Sequence, residues 1–221
     1  MKTLLRALLM MFPWPLKRRL LQWLFGYDLH PSSRIGFAWV FPRRLKMDSG
    51  ARIGHLTMCK GLELVRLDEH ASIGRLNWIT AYPLGGGCHF GHLPQRHPEL
   101  LVSRHAAITN RHLIDCTERI SIGPYATVAG FRSQLLTHSI DLAANRQDAE
   151  PIAIGAYTFV GTACTILGGS VLPDYSVLGA ASLLRSAFTE PHHLYAGVPA
   201  KAVRLLDPTM KYFTRTEGYV T

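Results

Sequence analysis

The chain has 221 residues, of which 48% are hydrophobic and 18% charged, a balance typical of a folded globular protein that excludes a disordered or collagen-like chain. Its net charge of +9, from 24 Lys and Arg against 15 Asp and Glu, indicates contact with an anionic partner: nucleic acid, an anionic membrane surface or a phosphorylated small molecule. A solvated basic surface without a partner is the alternative.

The first predicted segment, residues 1–30, is basic, amphipathic and helical. Four leucines recur at helical spacing and basic or polar side chains take the opposite side: Leu16, Leu20, Leu21 and Leu24 against Lys17, Arg18, Arg19 and Gln22. Trp14 and Trp23 add amphipathic anchors. The pattern fits two compatible roles, a peripheral contact of residues 1–27 with an anionic membrane and a helical cap on the first edge of a repeat fold.

We expect a cytoplasmic protein, and the inner face of the membrane as the place of any peripheral contact. No run approaches the roughly 18 apolar residues of a membrane span. Pro13 and Pro15 interrupt the first apolar stretch, and no small-residue cleavage site follows as it would in a signal peptide. The four cysteines include no CxxC pair, which is typical of free thiols in a reducing compartment.

A period of six residues governs the next segment, residues 31–205. Aliphatic residues stand six apart without a miss at Ile154, Val160, Ile166, Leu172, Leu178 and Leu184. A small side chain follows four residues after the aliphatic one, at Thr158, Cys164, Ser170, Ser176 and Ser182. Weaker copies begin at Ile35-Gly36, Ile53-Gly54, Ile73-Gly74 and Ile122-Gly123.

Each six-residue unit predicts a short strand and a tight turn, with one aliphatic side chain pointing inward. Three units make one coil of a triangular prism, and coils stack by parallel pairing about 4.8 Å apart. The sequence therefore predicts an all-β fold, a parallel β-helix. Two stretches break the period and predict excursions from the prism, residues 81–100 and 131–151, and residues 206–221 form a C-terminal tail. From Pro199 onward we expect irregular or helical structure.

These residues resemble the hexapeptide-repeat acyltransferase family, and most closely in pattern its polysaccharide-biosynthesis O-acetyltransferases. The match is sharpest from Thr137-His138, through the regular repeats, to Ala196-Gly197-Val198-Pro199-Ala200-Lys201, which resembles the closing motif of the family. The resemblance implies a left-handed β-helix and a homotrimer. The handedness comes from the resemblance alone, since general crossover rules favour the right hand.

His138 is the candidate general base. Acyl transfer to a hydroxyl needs a base that takes the proton as the oxygen attacks the thioester, and neutral imidazole is available for this at cytoplasmic pH. The resemblance implies that role for the histidine that opens the second excursion. We expect Asp141 to orient the imidazole, although a solvated aspartate or a backbone carbonyl in its place is an open alternative.

The resemblance implies acetyl-CoA as the acyl donor, bound between adjacent prisms of the trimer. By carry-over, the residues that contact it are Gly161, Thr162, Gly179, Ala180, Gly197 and Lys201. Glycine permits close backbone approach to the pantetheine arm, and the Lys201 ammonium attracts the nucleotide phosphates. The turns of any β-helix also favour glycine, so a purely structural role is the alternative for these glycines.

We expect no metal. The cluster Cys88, His89, His92 and His97 contains enough ligands for zinc, but it lacks a paired CxxC or a short structural frame. An inserted loop beside an acceptor cleft explains the histidines equally well.

The function that the resemblance implies is acyl-CoA-dependent O-acyltransfer, with acetyl moved from acetyl-CoA to a sugar hydroxyl in polysaccharide or lipopolysaccharide biosynthesis. The alternatives are N-acetylation of an amino sugar or small amine, and a non-catalytic β-helix scaffold of the bactofilin kind. We do not expect nucleic-acid binding, because no recognition motif is present and the aromatic residues are not interleaved with the basic ones.

Overall fold

The computed structural model describes residues 2–85 and 89–220. In chain order the first elements are α1 (Lys2–Met11), α2 (Trp14–Phe25), β1 (Asp28–Leu29), β2 (Arg34–Ile35), β3 (Trp39–Phe41), β4 (Arg44–Met47), β5 (Arg52–Ile53), β6 (Met58–Lys60), β7 (Leu64–Leu67), β8 (Ser72–Ile73) and β9 (Trp78–Thr80). The next are β10 (Glu99–Val102), β11 (Ala107–Ile108), β12 (Leu113–Asp115), β13 (Ile120–Ile122), β14 (Thr127–Val128), β15 (Gln134–Leu136), β16 (His138–Asp141) and β17 (Arg146–Ala149). The last are β18 (Ile152–Ile154), β19 (Phe159–Val160), β20 (Thr165–Leu167), β21 (Val171–Leu172), β22 (Val177–Leu178), β23 (Leu183–Leu184), β24 (His193–Gly197), β25 (Ala200–Leu205) and α3 (Lys211–Thr214).

Three sheets form the faces of a prism. The first face has the order β1-β4-β7-β10-β13-β18-β21, the second β2-β5-β8-β11-β14-β19-β22-β24-β25, and the third β3-β6-β9-β12-β15-β20-β23. Successive strands of the chain lie on successive faces, and strands on one face pair in parallel except for β24 and β25. The predicted parallel β-helix is therefore confirmed.

The six-residue period is the period of the buried core. On the second face the paired column runs Ile108↔Val128↔Val160↔Leu178, and each of these side chains is buried. The small residues that the repeat predicts at corners, such as Thr158 and Ser176, are buried too. Each coil supplies at least one inward apolar side chain per face, and most coils supply two on the first face, as at Val65 and Leu67. Only stacking joins these into a continuous core.

The corner between the first and second faces, here the first corner, carries a column of stacked rings. Parallel rings lie between 4.6 and 5.4 Å apart, in the order His70, His105, Tyr125, Tyr157, Tyr175 and His192. The residues have left-handed backbone conformations, for example φ +59° at Tyr125 and +53° at Tyr157. That conformation costs an L-residue about 1–2 kcal/mol, which ring stacking between coils offsets.

The second excursion begins later than the sequence predicts. Residues 131–136 belong to the coil: Leu135 is fully buried, and β15 pairs with β12 and β20 on the third face. The inward residue here is Leu135, seven residues after Val128 rather than six, because the corner at Gly130–Ser133 holds one extra residue. Because of this one extra residue, a strict six-residue repeat does not predict β15.

The two N-terminal helices cover the open end of the prism. Leu9 and Leu21 belong to the buried core. The inward side of α2 differs from the predicted one, because Lys17 is buried and donates a hydrogen bond of 2.8 Å to the Gly36 carbonyl, while Leu16 and Leu24 are exposed. Burial lowers the pKa of Lys17 to about 8. The helical cap is thus observed: Leu9 and Leu21 pack against the first coil, and Lys17 satisfies the Gly36 carbonyl.

No helix in residues 2–85 and 89–220 is long and apolar enough to cross a bilayer.

The chain directly after Pro199 forms a strand, β25, so the expectation of irregular or helical structure from Pro199 onward is wrong for residues 200–205. β25 pairs antiparallel with β24, with Ala196 opposite Lys201. After β25, residues 211–218 lie against the first corner, where Tyr157 donates to the Arg215 carbonyl at 3.2 Å and the Arg215 guanidinium covers the Tyr212 ring at 3.9 Å. The tail therefore buries part of the aromatic column.

Candidate active site

Both excursions leave the prism at the same corner, between the third and first faces, here the third corner. The first, predicted over residues 81–100, ends at residue 98, because Glu99 and Leu100 belong to β10 and are buried; it follows β9. The second, the hairpin β16–β17, follows β15. β12 lies between β9 and β15 on the third face. Three consecutive coils therefore supply one site, although its parts are far apart in sequence.

His138 stands where the two excursions meet. Its side chain is 26% exposed, and its Nδ1 lies 3.6 Å from Oδ2 of Asp115. Its Nε2 contacts Oε1 of Gln147 across the hairpin. The rings of Tyr82 and Phe90, from the first excursion, pack edge-on at 5.4 and 5.8 Å between centroids. The imidazole therefore has a partner at each nitrogen, Asp115 and Gln147, and packs against two aromatic rings.

Asp115 is the carboxylate that faces His138. It ends β12, and its Oδ1 accepts hydrogen bonds from the Thr117 backbone N–H at 2.9 Å and hydroxyl at 2.6 Å. These bonds fix the carboxylate and leave Oδ2 directed at the imidazole. Sequence reasoning missed Asp115, because only the parallel pairing of β12 with β15 brings it beside His138.

Asp141 has different contacts from those that the sequence predicts. Its Oδ1 accepts from the backbone N–H groups of Ala143 and Ala144, at 3.0 and 3.1 Å, and its Oδ2 lies 3.6 Å from Nε of Arg146. It closes the turn of the hairpin. Three positions after His138 along one strand, its side chain lies on the opposite face from the imidazole, since side chains alternate along a strand.

Arg96 fixes the first excursion to the prism. Its guanidinium is buried, donates to the Thr117 carbonyl at 2.6 Å and covers the Phe90 ring at 4.0 Å. Burial lowers the pKa of Arg96, against the opposing effect of Glu118 and Asp115. Arg96 thus packs against Phe90, whose ring lies beside His138 and also contacts Tyr82.

An open cavity of about 350 Å³ adjoins His138 on the side of the third face. It is lined by Leu136, His138, Ser139, Glu150, Leu167, Gly168 and Arg185. A second cavity of about 310 Å³ lies at the hairpin, lined by His89, Ile140, Asn145, Arg146 and Gln147. His138 lines the first cavity, and Gln147, which contacts His138, lines the second.

The predicted donor residues lie at two other places. Gly161, Thr162, Gly179 and Ala180 follow β19 and β22, at the corner between the second and third faces, here the second corner. A Cβ on Gly161 would lie 2.7 Å from the Ala180 backbone nitrogen, so coil stacking alone requires glycine there. Thr162 bridges coils by donating to the Phe131 carbonyl at 2.9 Å. The third face separates these four residues from His138.

The other two predicted donor residues belong to the terminal hairpin. Gly197 ends β24 with φ +109°, in the region that favours glycine. Lys201 is exposed on β25.

The candidate metal cluster is only partly described. Cys88 lies outside the described residues, and His89 packs against the Tyr82 ring at 6.0 Å. Within residues 2–85 and 89–220 no group of three or more His, Cys, Asp or Glu side chains is arranged to hold a metal ion.

Solved structures share this architecture. A variant of AntD, an N-acyltransferase from Bacillus cereus in complex with dTDP-4-amino-4,6-dideoxyglucose and coenzyme A, is 12% identical, with a TM-score of 0.58 over 86% of this chain and 89% of that one. A second AntD variant, in complex with dTDP and coenzyme A, is 11% identical, with a TM-score of 0.52 over 87% and 91%. The fold is the left-handed β-helix.

A hexapeptide-repeat-containing acetyltransferase from Vibrio cholerae with acetyl coenzyme A superposes less well, at 18% identity and a TM-score of 0.48 over 91% of this chain and 84% of that one. No protein-family model matches the sequence, and no curated protein is significantly similar to it. At these identities the likeness establishes the fold.

Proposed function

We propose that this protein is an acyltransferase that moves an acetyl group from acetyl-CoA to a sugar hydroxyl, with His138 as general base. The observation that carries the proposal is the His138–Asp115 pair at the meeting point of two excursions. A fixed carboxylate at Nδ1 holds the imidazole proton on that nitrogen, so Nε2 can act as the base once the acceptor hydroxyl displaces the Gln147 side chain from it.

The chemistry follows from that geometry. The acceptor hydroxyl takes the place of the Gln147 amide at Nε2 of His138. Its oxygen attacks the thioester carbonyl carbon while its proton passes to Nε2, and Asp115 stabilises the imidazolium. Collapse of the tetrahedral oxyanion breaks the carbon–sulfur bond, and the imidazolium returns the proton to the leaving thiolate. The products are an ester and free coenzyme A.

For the donor, we propose that the thioester end enters the cavity beside His138 and Gly168, with the pantetheine arm along the third face towards the second corner. Gly161, Thr162, Gly179 and Ala180 would then line the arm, and Gly197 and Lys201 the nucleotide end. The similar AntD structures contain coenzyme A, which supports this donor. We infer a homotrimer, because one flat face leaves the carrier open to solvent and a neighbouring prism would complete the groove.

For the acceptor, we propose a sugar of a polysaccharide or lipopolysaccharide precursor. The sugar nucleotide in the AntD complex supports a sugar. The same relative is an N-acyltransferase, which favours an amino sugar as the second candidate. We place the reaction in the cytoplasm: Cys59, Cys116 and Cys164 are buried free thiols, and burial raises the pKa of each, as suits a reducing compartment.

The test is a transfer assay with acetyl-labelled acetyl-CoA and a panel of neutral sugars, amino sugars and nucleotide sugars. We expect thiol release that depends on one class of acceptor, and a product whose label is lost in mild alkali, as an ester requires. An alkali-stable amide would assign the N-acyl alternative. No acetyl-CoA binding and no thiol release with any acceptor would contradict the proposal and favour a scaffold.

A further inference from the structure

The net charge of the protein resides entirely in its first 60 residues. These carry eleven Lys and Arg against two Asp, a net charge of +9, whereas residues 61–221 carry thirteen basic and thirteen acidic side chains. In a β-helix each coil pairs only with its neighbours, so for residues 28–205 position along the chain is position along the prism axis. One end of the molecule is therefore strongly basic and the remainder is neutral overall.

The same end exposes apolar side chains that the core does not use. On α1 and the turn after it, the exposed residues follow helical spacing along one side: Leu4, Leu5, Leu8, Met11 and Phe12. On α2, Leu16 and Trp23 are exposed seven positions apart, and Trp23 is 80% exposed. The opposite side of the two helices, which holds Leu9 and Leu21, caps the first coil. Packing of the fold therefore does not account for the apolar residues on the outer, solvent-facing side of α1 and α2.

Exposed arginines flank these apolar side chains. Arg19 lies between Leu16 and Trp23 on α2, and Arg34 and Arg44 are exposed at the same end of the prism, on β2 of the second face and β4 of the first face. Apolar and cationic groups on one surface are complementary to lipid tails and anionic headgroups together. Nucleic acid would leave the leucines unpartnered, and two copies meeting here would bring two charges of +9 together.

We propose that the outer side of α1 and α2, with Arg19, Arg34 and Arg44, docks the prism end-on to the surface of an anionic bilayer. The prism axis then stands away from the membrane and the third corner, which bears His138, stays free in solution. The inference goes beyond acyl transfer and is independent of it, because no residue of the docking surface belongs to the candidate active site.

The test is binding of the full chain to vesicles of phosphatidylcholine alone and of equal parts phosphatidylcholine and phosphatidylglycerol. We expect binding to the anionic vesicles only, weakened by salt. The first variant, Met11→Ser with Trp23→Ser, removes apolar groups of the docking surface. The second, Arg19→Gln with Arg34→Gln and Arg44→Gln, removes its cationic groups. Each arginine lost near an anionic surface is expected to weaken binding about fivefold.

Matched controls carry substitutions of the same kind on the terminal strand and tail, at the other end of the prism: Val203→Ser with Leu205→Ser, and Lys201→Gln with Arg204→Gln and Lys211→Gln. All of these side chains are exposed. The controls are expected to bind as the wild type does, and thermal melts verify that every variant is folded.

Three results would overturn the proposal: no binding of the wild type to anionic vesicles, equal binding to neutral ones, or equal losses in the control variants. Self-association of the wild type that the Trp23 variant abolishes would assign the surface to a second copy instead. Binding to duplex DNA with the affinity of the vesicles, lost with the arginines and kept with Met11→Ser and Trp23→Ser, would assign it to nucleic acid.

Discussion

Asp115 and His138 are 23 positions apart in sequence, yet Oδ2 of Asp115 lies 3.6 Å from Nδ1 of His138. The stacking of consecutive coils produces this contact, because β12 and β15 are neighbours on the third face. The carboxylate is fixed by Thr117 and the imidazole contacts Gln147 of the hairpin, so the pair is held close to the geometry of a hydrogen bond. We regard Asp115 as the positioning residue of the site.

Replacing Asp115 with asparagine should lower kcat by at least ~10-fold, because the amide no longer stabilises the imidazolium and permits the wrong tautomer. KM for acetyl-CoA should stay unchanged, and the pH profile of kcat should move. The matched control is Asp141→Asn, which removes only a turn contact and should leave kcat nearly as it is. A larger loss from Asp141→Asn than from Asp115→Asn would reverse the assignment.

We expect the folded protein to lose stability in mild acid because of His112. It is buried at the second corner, where its Nδ1 accepts from the Ser133 N–H at 3.2 Å, and burial lowers its pKa to about 4. Since the folded-state pKa lies below that of an unfolded histidine, its contribution is complete above pH ~6.5 and declines as the pH falls towards 4.

Between pH 7 and 5 this histidine should cost about 2 kcal/mol of unfolding free energy. Urea unfolding at the two pH values should show that dependence in the wild type and less of it in His112→Asn. Replacing the exposed His97 with asparagine is the control. Equal pH dependence in wild type and His112→Asn would show that His112 is not the group responsible.

Gly161→Ala tests whether Gly161 is needed for the stacking of coils or for contact with acetyl-CoA. The new Cβ would lie 2.7 Å from the Ala180 nitrogen, so we expect destabilisation of about 1–3 kcal/mol, measured by urea unfolding. Gly91→Ala, where nothing lies within 4 Å, should be nearly neutral. Unchanged stability together with weakened acetyl-CoA binding would instead make Gly161 a donor contact.

Lys201→Ala tests the donor site at its nucleotide end. Loss of one exposed cation facing a phosphate should raise KM for acetyl-CoA about fivefold, the equivalent of ~1 kcal/mol, with kcat unchanged. The effect should shrink as salt is added. Lys211→Ala, an exposed lysine on the tail, is the control. A KM equal to that of the wild type would remove Lys201 from the donor site.

The repeat could be predicted from the sequence because every face of every coil needs a buried apolar residue, and this need recurs every six positions along the regular coils. The burial of Leu135 was not predicted, because one extra residue in the preceding corner places Leu135 seven positions after Val128 instead of six. The burial of Lys17 was not predicted, because amphipathic spacing assigns a lysine to the solvent side and does not reveal a hydrogen bond to the Gly36 carbonyl. His138 could be singled out from its motif, but its partner Asp115 could not, since coil-to-coil register is a property of the stacked structure.

The most direct test of the central claim is the transfer rate of His138→Gln under saturating acetyl-CoA and acceptor, beside a calorimetric measurement of its acetyl-CoA affinity. Glutamine keeps a polar side chain of similar size without a basic nitrogen. We expect a loss of about 10²- to 10⁴-fold in kcat with the affinity for acetyl-CoA unchanged. A variant that transfers acetyl groups at the wild-type rate would contradict the assignment of His138 as the base.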